Sequence, residues 1–185
     1  MPHSPDPFPD VIIEPLSLKY LFPALKLVNS VFPRKEQGWE RADISFPVSI
    51  LPLGQRLTRL AGYPMLKYWI ARNTRTGQVY GTHGCYTRAD DPDAYWGGWL
   101  CVDPRHRGQI IGKKLYVHVV EYYRSHGDRP YWRLYTSTDP KEARARAIYE
   151  SYGFKVFREK FNPVTGYTIL YYQILLSELL FSPIS

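Results

Sequence analysis

Apolar positions recur at Leu21, Leu25 and Val28, a spacing that predicts a helix over 17–31, with Pro23 either kinking it or marking its true start. The pattern then changes. Residues 66–73 and 78–87 carry the apolar, aromatic and β-branched mixture of strands, and Thr74-Arg75-Thr76-Gly77 between them predicts a hairpin. After the turn Asp90-Asp91-Pro92-Asp93 a further strand is expected over 95–102. A helix over 108–124, a strand over 130–137 and a helix running to Tyr152 follow. A closing hairpin is expected from 155–161 and 167–176, joined at Asn162-Pro163-Val164-Thr165-Gly166. Near the start, 11–14 reads as a short strand and 1–10, with four prolines, as a flexible arm. Pro33, Pro47, Pro52 and Pro64 leave 32–64 irregular, with one helix near 48–60.

This order predicts a single α/β domain over 11–185 with a mixed, mostly antiparallel sheet flanked by helices. The strands 95–102 and 130–137 are joined through a helix, so they should be parallel neighbours. No internal repeat interrupts the series.

Composition changes this picture little. With 185 residues, 44% hydrophobic and 22% charged, the chain suits one globular domain with a proper core. The net charge of +7 favours an anionic ligand. Lys and Arg are scattered rather than gathered in a tract, so nucleic acid is not the expected partner. Sixteen tyrosines and five tryptophans serve the core, with some left to line an acceptor pocket. Cys85 and Cys101 lack a C-x-x-C spacing and read as reduced thiols, and the five histidines show no metal-ligand cluster. No stretch reads as a signal peptide or a membrane span, so the expectation is a cytoplasmic protein without a membrane partner.

The most informative run is Val102-Asp103-Pro104-Arg105-His106-Arg107-Gly108-Gln109-Ile110-Ile111-Gly112-Lys113-Lys114-Leu115. A strand enters it and a helix leaves it. The first amides of a helix have no partner within it, and the dipole makes that end positive, so such a junction suits a phosphate. Gly108 and Gly112 are too close for a Walker A loop, and the dinucleotide-binding G-x-G-x-x-G spacing is absent. A second segment, Ala145-Arg146-Ala147-Ile148-Tyr149-Glu150-Ser151-Tyr152-Gly153-Phe154, predicts a helix with Ala145, Ile148, Tyr149 and Tyr152 on one face, capped at Gly153.

Together the two segments resemble the GNAT superfamily of acetyl-CoA-dependent N-acetyltransferases. The first is similar to its pyrophosphate loop, V-x-P-x-x-[RQ]-G-x-G-x-[GA], at Val102, Pro104, Arg107, Gly108 and Gly112. The second is similar to its A-x-x-[LI]-Y-x-x-x-G-F segment. Ile110 departs from the pattern, standing where the family usually has glycine. A β-branched residue resists positive φ, so Ile110 is expected in an ordinary helical conformation, or the phosphates sit slightly differently.

The resemblance implies a GNAT-like sheet whose parallel pair splays apart to admit acetyl-CoA as co-substrate. It implies backbone amides of Leu100, Cys101 and Val102 for the developing oxyanion. It implies Arg107, Gly108, Gln109, Ile110, Gly112 and Lys113 for the pyrophosphate, with Lys114 also near. Tyr149 would be the acid that protonates the departing thiolate. Ala145 would let the cofactor pass, and Glu142 is read as part of a capping box with Asp139 and Pro140. Gly97-Gly98 between Trp96 and Trp99 suggests a bulge or a close approach. For a base, the residues offer His83, Glu40, Asp43, Asp93 or a chain of waters.

The expected function is acetyl transfer to a primary amine within a ternary complex, with a small molecule rather than a protein as acceptor and a homodimer allowed. The alternative is a non-catalytic CoA-binding sensor or structural module on the same fold.

Overall fold

The computed structural model describes residues 10–32, 41–108 and 110–179; the expected arm over 1–9, and Glu40 and Gln109, lie outside the described residues. Seven strands form one sheet: β1 Val11–Pro15, β2 Leu66–Asn73, β3 Val79–Arg88, β4 Asp91–Val102, β5 Tyr131–Ser137, β6 Lys155–Asn162 and β7 Tyr167–Leu175. Their order is β1-β2-β3-β4-β5-β7-β6. Only β4 and β5 run parallel; every other neighbour is antiparallel. Five α-helices flank the sheet: α1 Leu21–Val31, α2 Ala42–Ile50, α3 Pro52–Leu60, α4 Ile111–His126 and α5 Ala143–Ser151.

Helix α4 covers one face. Its Tyr116, Val119, Val120 and Tyr123 bury against Trp69, Cys85, Tyr95, Trp132 and Tyr172. Helices α1 and α2 cover the opposite face over β2–β4, where Ala24, Val28, Ala42 and Phe46 are fully buried beside Tyr68, Ile70 and Cys101. Cys85 and Cys101 therefore sit on opposite sides of the sheet, both as free thiols.

Most elements match their sequence pattern, and three differ. Pro23 lies in the first turn of α1, where a missing N–H costs nothing, so it marks a start and not a kink. The stretch read as irregular holds two helices, α2 and α3. They part at Leu51, which is extended (φ −83, ψ 131) because it precedes Pro52. Pro47 survives inside α2 because Phe46 anchors that helix in the core. The Asp90–Asp93 turn shrinks to Ala89-Asp90, since Arg88 already pairs with Asp91. Asp10, placed in the arm by its prolines, is held by Arg75 at 2.7 Å and its carbonyl accepts from Thr74 N–H at 2.7 Å.

Candidate active site

Strands β4 and β5 pair over three positions only: Ala94 with Tyr131, Tyr95 with Trp132, and Trp96 with Arg133. Past Arg133, β5 stays with β7 to its end at Ser137 and leaves β4 behind. The paired end is clasped. Asp91 Oδ1 accepts from Arg133 Nη1 at 2.5 Å and Oδ2 from Trp96 Nε1 at 2.8 Å. Arg133 Nε reaches Gln173 Oε1 at 3.2 Å, so one guanidinium ties β4, β5 and β7 together. A strand sends its amides and carbonyls alternately to either side. From Gly97 to Val102 the β5 side of β4 meets no strand.

Opposite this open stretch, Gly84 pairs with Gly98 and Thr82 with Cys101. Two steps on β3 thus face three on β4, a bulge at Trp99-Leu100. Trp99 adopts φ 51 there, and its carbonyl accepts from Thr82 Oγ1 at 2.7 Å. The bulge falls one residue past the Gly97-Gly98 pair. Gly97 has a different reason to be glycine: a Cβ on it would stand 2.8 Å from Trp132 Nε1. Leu100 and Val102 pack towards α4, while Cys101 packs towards α1 and α2. The Cys101 thiol, pushed up to about 11 by burial, offers nothing to the gap but its backbone.

The loop after β4 begins with Asp103, 6% exposed. Its carboxylate accepts from Arg105 N at 3.0 Å and from both Arg105 Nε and Nη2, at 3.1 and 2.7 Å. The Arg105 hydrogen bonds hold that carboxyl down at about 2. Pro104–His106 make a single 3-10 turn. Arg107 is exposed, and its Nε returns to Val102 O at 3.2 Å. Gly108 follows at φ 77. Helix α4 starts at Ile111, three residues later than the pattern suggests, with Lys114 N–H donating to Ile110 O at 2.9 Å as its first ladder bond. Buried Ile111 and Leu115 pin this start against Leu100 and Val102. The positive end of α4 therefore opens onto the space beyond the carboxyl end of β4.

Ile110 corrects the expectation of a helical conformation: it sits at φ 59, ψ −11. The loop imposes a glycine's backbone on an isoleucine, at a strain of about 1–2 kcal/mol. Gly112, in contrast, is ordinary helix, and a Cβ there would meet only Val102 Cγ2, at 3.5 Å. Lys113 and Lys114 are half-buried in the first turn.

Helix α5 is held by a clasp the sequence disguised. Asp139 accepts from Lys141 N at 2.9 Å, as a cap should. Glu142 does not close a capping box on Asp139. It reaches back to β5, accepting from Ser137 N at 2.7 Å and from the Thr136 hydroxyl. Arg146 Nη1 donates to Ser137 O at 2.5 Å and Asp139 O at 3.0 Å. Both bonding sides of Ser137, where β5 borders the gap, are thus gripped from α5.

Tyr149 lies on this helix, half-buried, with its ring 5.9 Å from Phe154 and 6.1 Å from Tyr172. Burial, then the nearby Glu142 charge, pushes its phenol up to about 12. Its hydroxyl has no hydrogen-bond partner among the described residues. Ile148, read on the same apolar face, is instead 41% exposed. Ala145 is half-buried.

The base candidates fare poorly. His83 is buried on β3, where Gly84 N–H donates to its Nδ1 at 3.0 Å and Gly98 O lies 3.4 Å from the same nitrogen. Nε2 has no partner among the described residues. Burial drops this imidazole to about 4, too low for a base at neutral pH. Asp43 is in α2 and pairs with Arg41 at 2.6 Å. Asp93 lies at the closed end of β4. Among the described residues no group of His, Cys, Asp or Glu could hold a metal.

Residues 64–156 match the sequence model of the acetyltransferase (GNAT) domain. No curated protein sequence matches the chain. Several solved structures share its fold. A Desulfovibrio desulfuricans chain assigned to the GNAT family superposes with a TM-score of 0.69 at 20% identity, covering 90% of this chain and 99% of its own. A Salmonella typhimurium chain solved with its cofactor acetyl-CoA gives 0.63 at 15% identity, over 95% and 99% of the two chains. An aminoglycoside 6'-N-acetyltransferase in complex with coenzyme A gives 0.61 at 15%, over 93% and 99%. At these identities the likeness is one of fold.

Proposed function

The chain belongs to the GNAT acetyltransferase family, and from that premise we propose that it transfers an acetyl group from acetyl-CoA to the primary amine of a small-molecule acceptor, within a ternary complex. One coincidence carries this reading. The parting of β4 and β5, the bulge at Trp99-Leu100 and the positive end of α4 all open onto the same space.

In this reading the pyrophosphate rests on the backbone of Gly108–Gly112, with Arg107 and Lys113 beside it. The pantetheine arm lies along Gly97–Val102 and uses the amides and carbonyls that β5 leaves unanswered. The amine nitrogen attacks the thioester carbonyl, and an amide at Leu100–Val102 takes the oxyanion. The carbon–sulfur bond then breaks, and Tyr149 gives its phenolic proton to the thiolate. A phenol near 12 is a weak acid in water, but the burial that raises it also raises a neighbouring thiolate, so the two stay matched. The amine's own proton leaves to solvent. The Ile110 backbone supports cofactor binding, since the loop holds the glycine-like shape without the glycine. The two free thiols suit a reducing, cytoplasmic setting.

The test is thiol release from acetyl-CoA across a panel of primary amines, for the wild type and Tyr149→Phe. Turnover by the wild type and a drop of about a hundredfold or more in kcat for the variant, with acetyl-CoA affinity unchanged, are expected for a general acid. Silence with every amine, despite acetyl-CoA binding, would leave a sensor in its place.

A further inference from the structure

Helices α1 and α2 pack no further than β4, so among the described residues no helix covers the face of β5, β7 and β6 opposite α4. Tyr149 and the packed rings of Tyr116, Trp132 and Phe154 fill the α4 side. An acceptor amine must therefore approach the gap across the open face. Strand register decides what it meets. Tyr135 pairs with Tyr171, and Tyr171 with Arg158, so these three side chains share the face. Lys160, paired with Ile169, joins them; Glu159, paired with Leu170, points to the other side. The rings touch: Tyr135 and Tyr171 lie 6.0 Å apart, and the Arg158 guanidinium stands 5.2 Å from the Tyr171 ring centre.

Neither Arg158 nor Lys160 has a carboxylate partner among the described residues. Asp91 stands at the edge of this face, and both its oxygens are taken by Arg133 and Trp96. The face is thus an aromatic shelf ending in unneutralised cations. A polycationic acceptor would find no unpaired carboxylate there among the described residues.

We propose that the acceptor is an elongated small molecule with a primary amine at one end, a flat apolar body and a carboxylate at the other, the body lying on Tyr135 and Tyr171 and the carboxylate on Arg158 and Lys160. The inference rests on the proposed acetyl transfer. Two strand spacings, about 10 Å, separate the backbones of β5 and β6, and the Arg158 guanidinium leans back over Tyr171 on the strand between them, so amine and carboxylate stand one to two spacings, about 5–10 Å, apart. That distance excludes a bare α-amino acid. It fits an aryl-alkylamine acid or a short peptide.

The experiment compares 4-(4-aminobutyl)benzoate with 4-phenylbutylamine and spermidine, in the wild type, Arg158→Gln, an Arg158→Gln/Lys160→Gln double variant, and Glu159→Gln as a control on the far side of β6. All three positions are exposed on an edge strand, so the variants should fold. The benzoate should exceed the amine that lacks the carboxylate about tenfold in kcat/KM, through KM, as a charge-assisted hydrogen bond provides. Arg158→Gln should remove most of that advantage and the double variant all of it, with the KM for acetyl-CoA unchanged; Glu159→Gln should keep it. Equal use of both amines, a preference for spermidine, or an advantage that survives the double variant overturns the proposal. If no amine releases thiol, the transfer reading fails separately. The shelf is then judged by calorimetry of the benzoate against CoA-saturated protein: Arg158-dependent binding supports it, and no binding overturns it.

Discussion

Gly112→Ala separates a glycine needed by the fold from one needed by a ligand. The position has an ordinary helical backbone, and an added Cβ finds only Val102 Cγ2 at 3.5 Å, normal contact distance. Nothing in the fold asks for glycine there. Replacing glycine by alanine within a helix is favourable by about 0.5–1 kcal/mol, so the variant should melt at least as high as the wild type, by about 1–4 °C for a domain of this size. The same methyl would project at the end of β4, where the pyrophosphate is proposed to meet the first amides of α4. Displacing one charge-assisted hydrogen bond of about 1.5–3 kcal/mol weakens acetyl-CoA about tenfold to a hundredfold. Thermal denaturation and calorimetry on the same preparation read both effects. A variant that is destabilised, or one that binds acetyl-CoA as tightly as the wild type, would refute the reasoning.

Three further outcomes follow from the geometry. Ile110→Gly relieves about 1–2 kcal/mol of left-handed strain but frees the unfolded chain by about 0.5–1 kcal/mol; denaturant titration should therefore show a net change under about 1 kcal/mol. Because the backbone shape is already present, acetyl-CoA affinity should stay within about threefold, and a large gain would show that the loop is misshapen. His83 is held near 4 from an ordinary value of 6.5 by burial; the unfolded chain takes up that proton first, so stability is lost as pH falls from 6.5 towards 4. The loss amounts to about 3 kcal/mol at most, and His83→Gln should flatten it in melts between pH 7 and 4. Tyr149, raised to about 12, stays protonated across the assay range. The rate should thus climb with pH up to the acceptor amine's own pKa without an alkaline fall below about pH 10; a midpoint near 6–7 that ignores the choice of acceptor would point to a protein base.

The strands were legible because their apolar runs are bounded by clear turns, as at Thr74–Gly77. The helical pair α2–α3 was not, since Pro47 and Pro52 read as breakers and only tertiary burial of Phe46 overrides Pro47. The loop between β4 and α4 showed in its glycines, but the Ile110 backbone did not: propensity alone forbids what the surrounding loop enforces. Of two similar positioning clasps, spacing made only one legible. Asp103-Pro104 and Asp139-Pro140 open the same kind of turn, each Asp accepting from the N–H two residues on. The second was recognised and the first was not, although the repeated Asp-Pro pair was a signal. Glu142 was given the right reach and the wrong target, because side chains crossing from α5 to β5 depend on packing that spacing does not encode. The aromatic content pointed to an aromatic-lined acceptor pocket, but which sheet face carries the rings depends on where α1 and α2 stop.

Backbone amide NMR on addition of acetyl-CoA tests the central claim most directly. The account predicts saturable shifts at Gly108 and Ile111–Lys113, together with Gly97–Val102, and little change on β1, α1 or α3. Shifts absent from the α4 start at saturating acetyl-CoA, or gathered on another face of the protein, would contradict it.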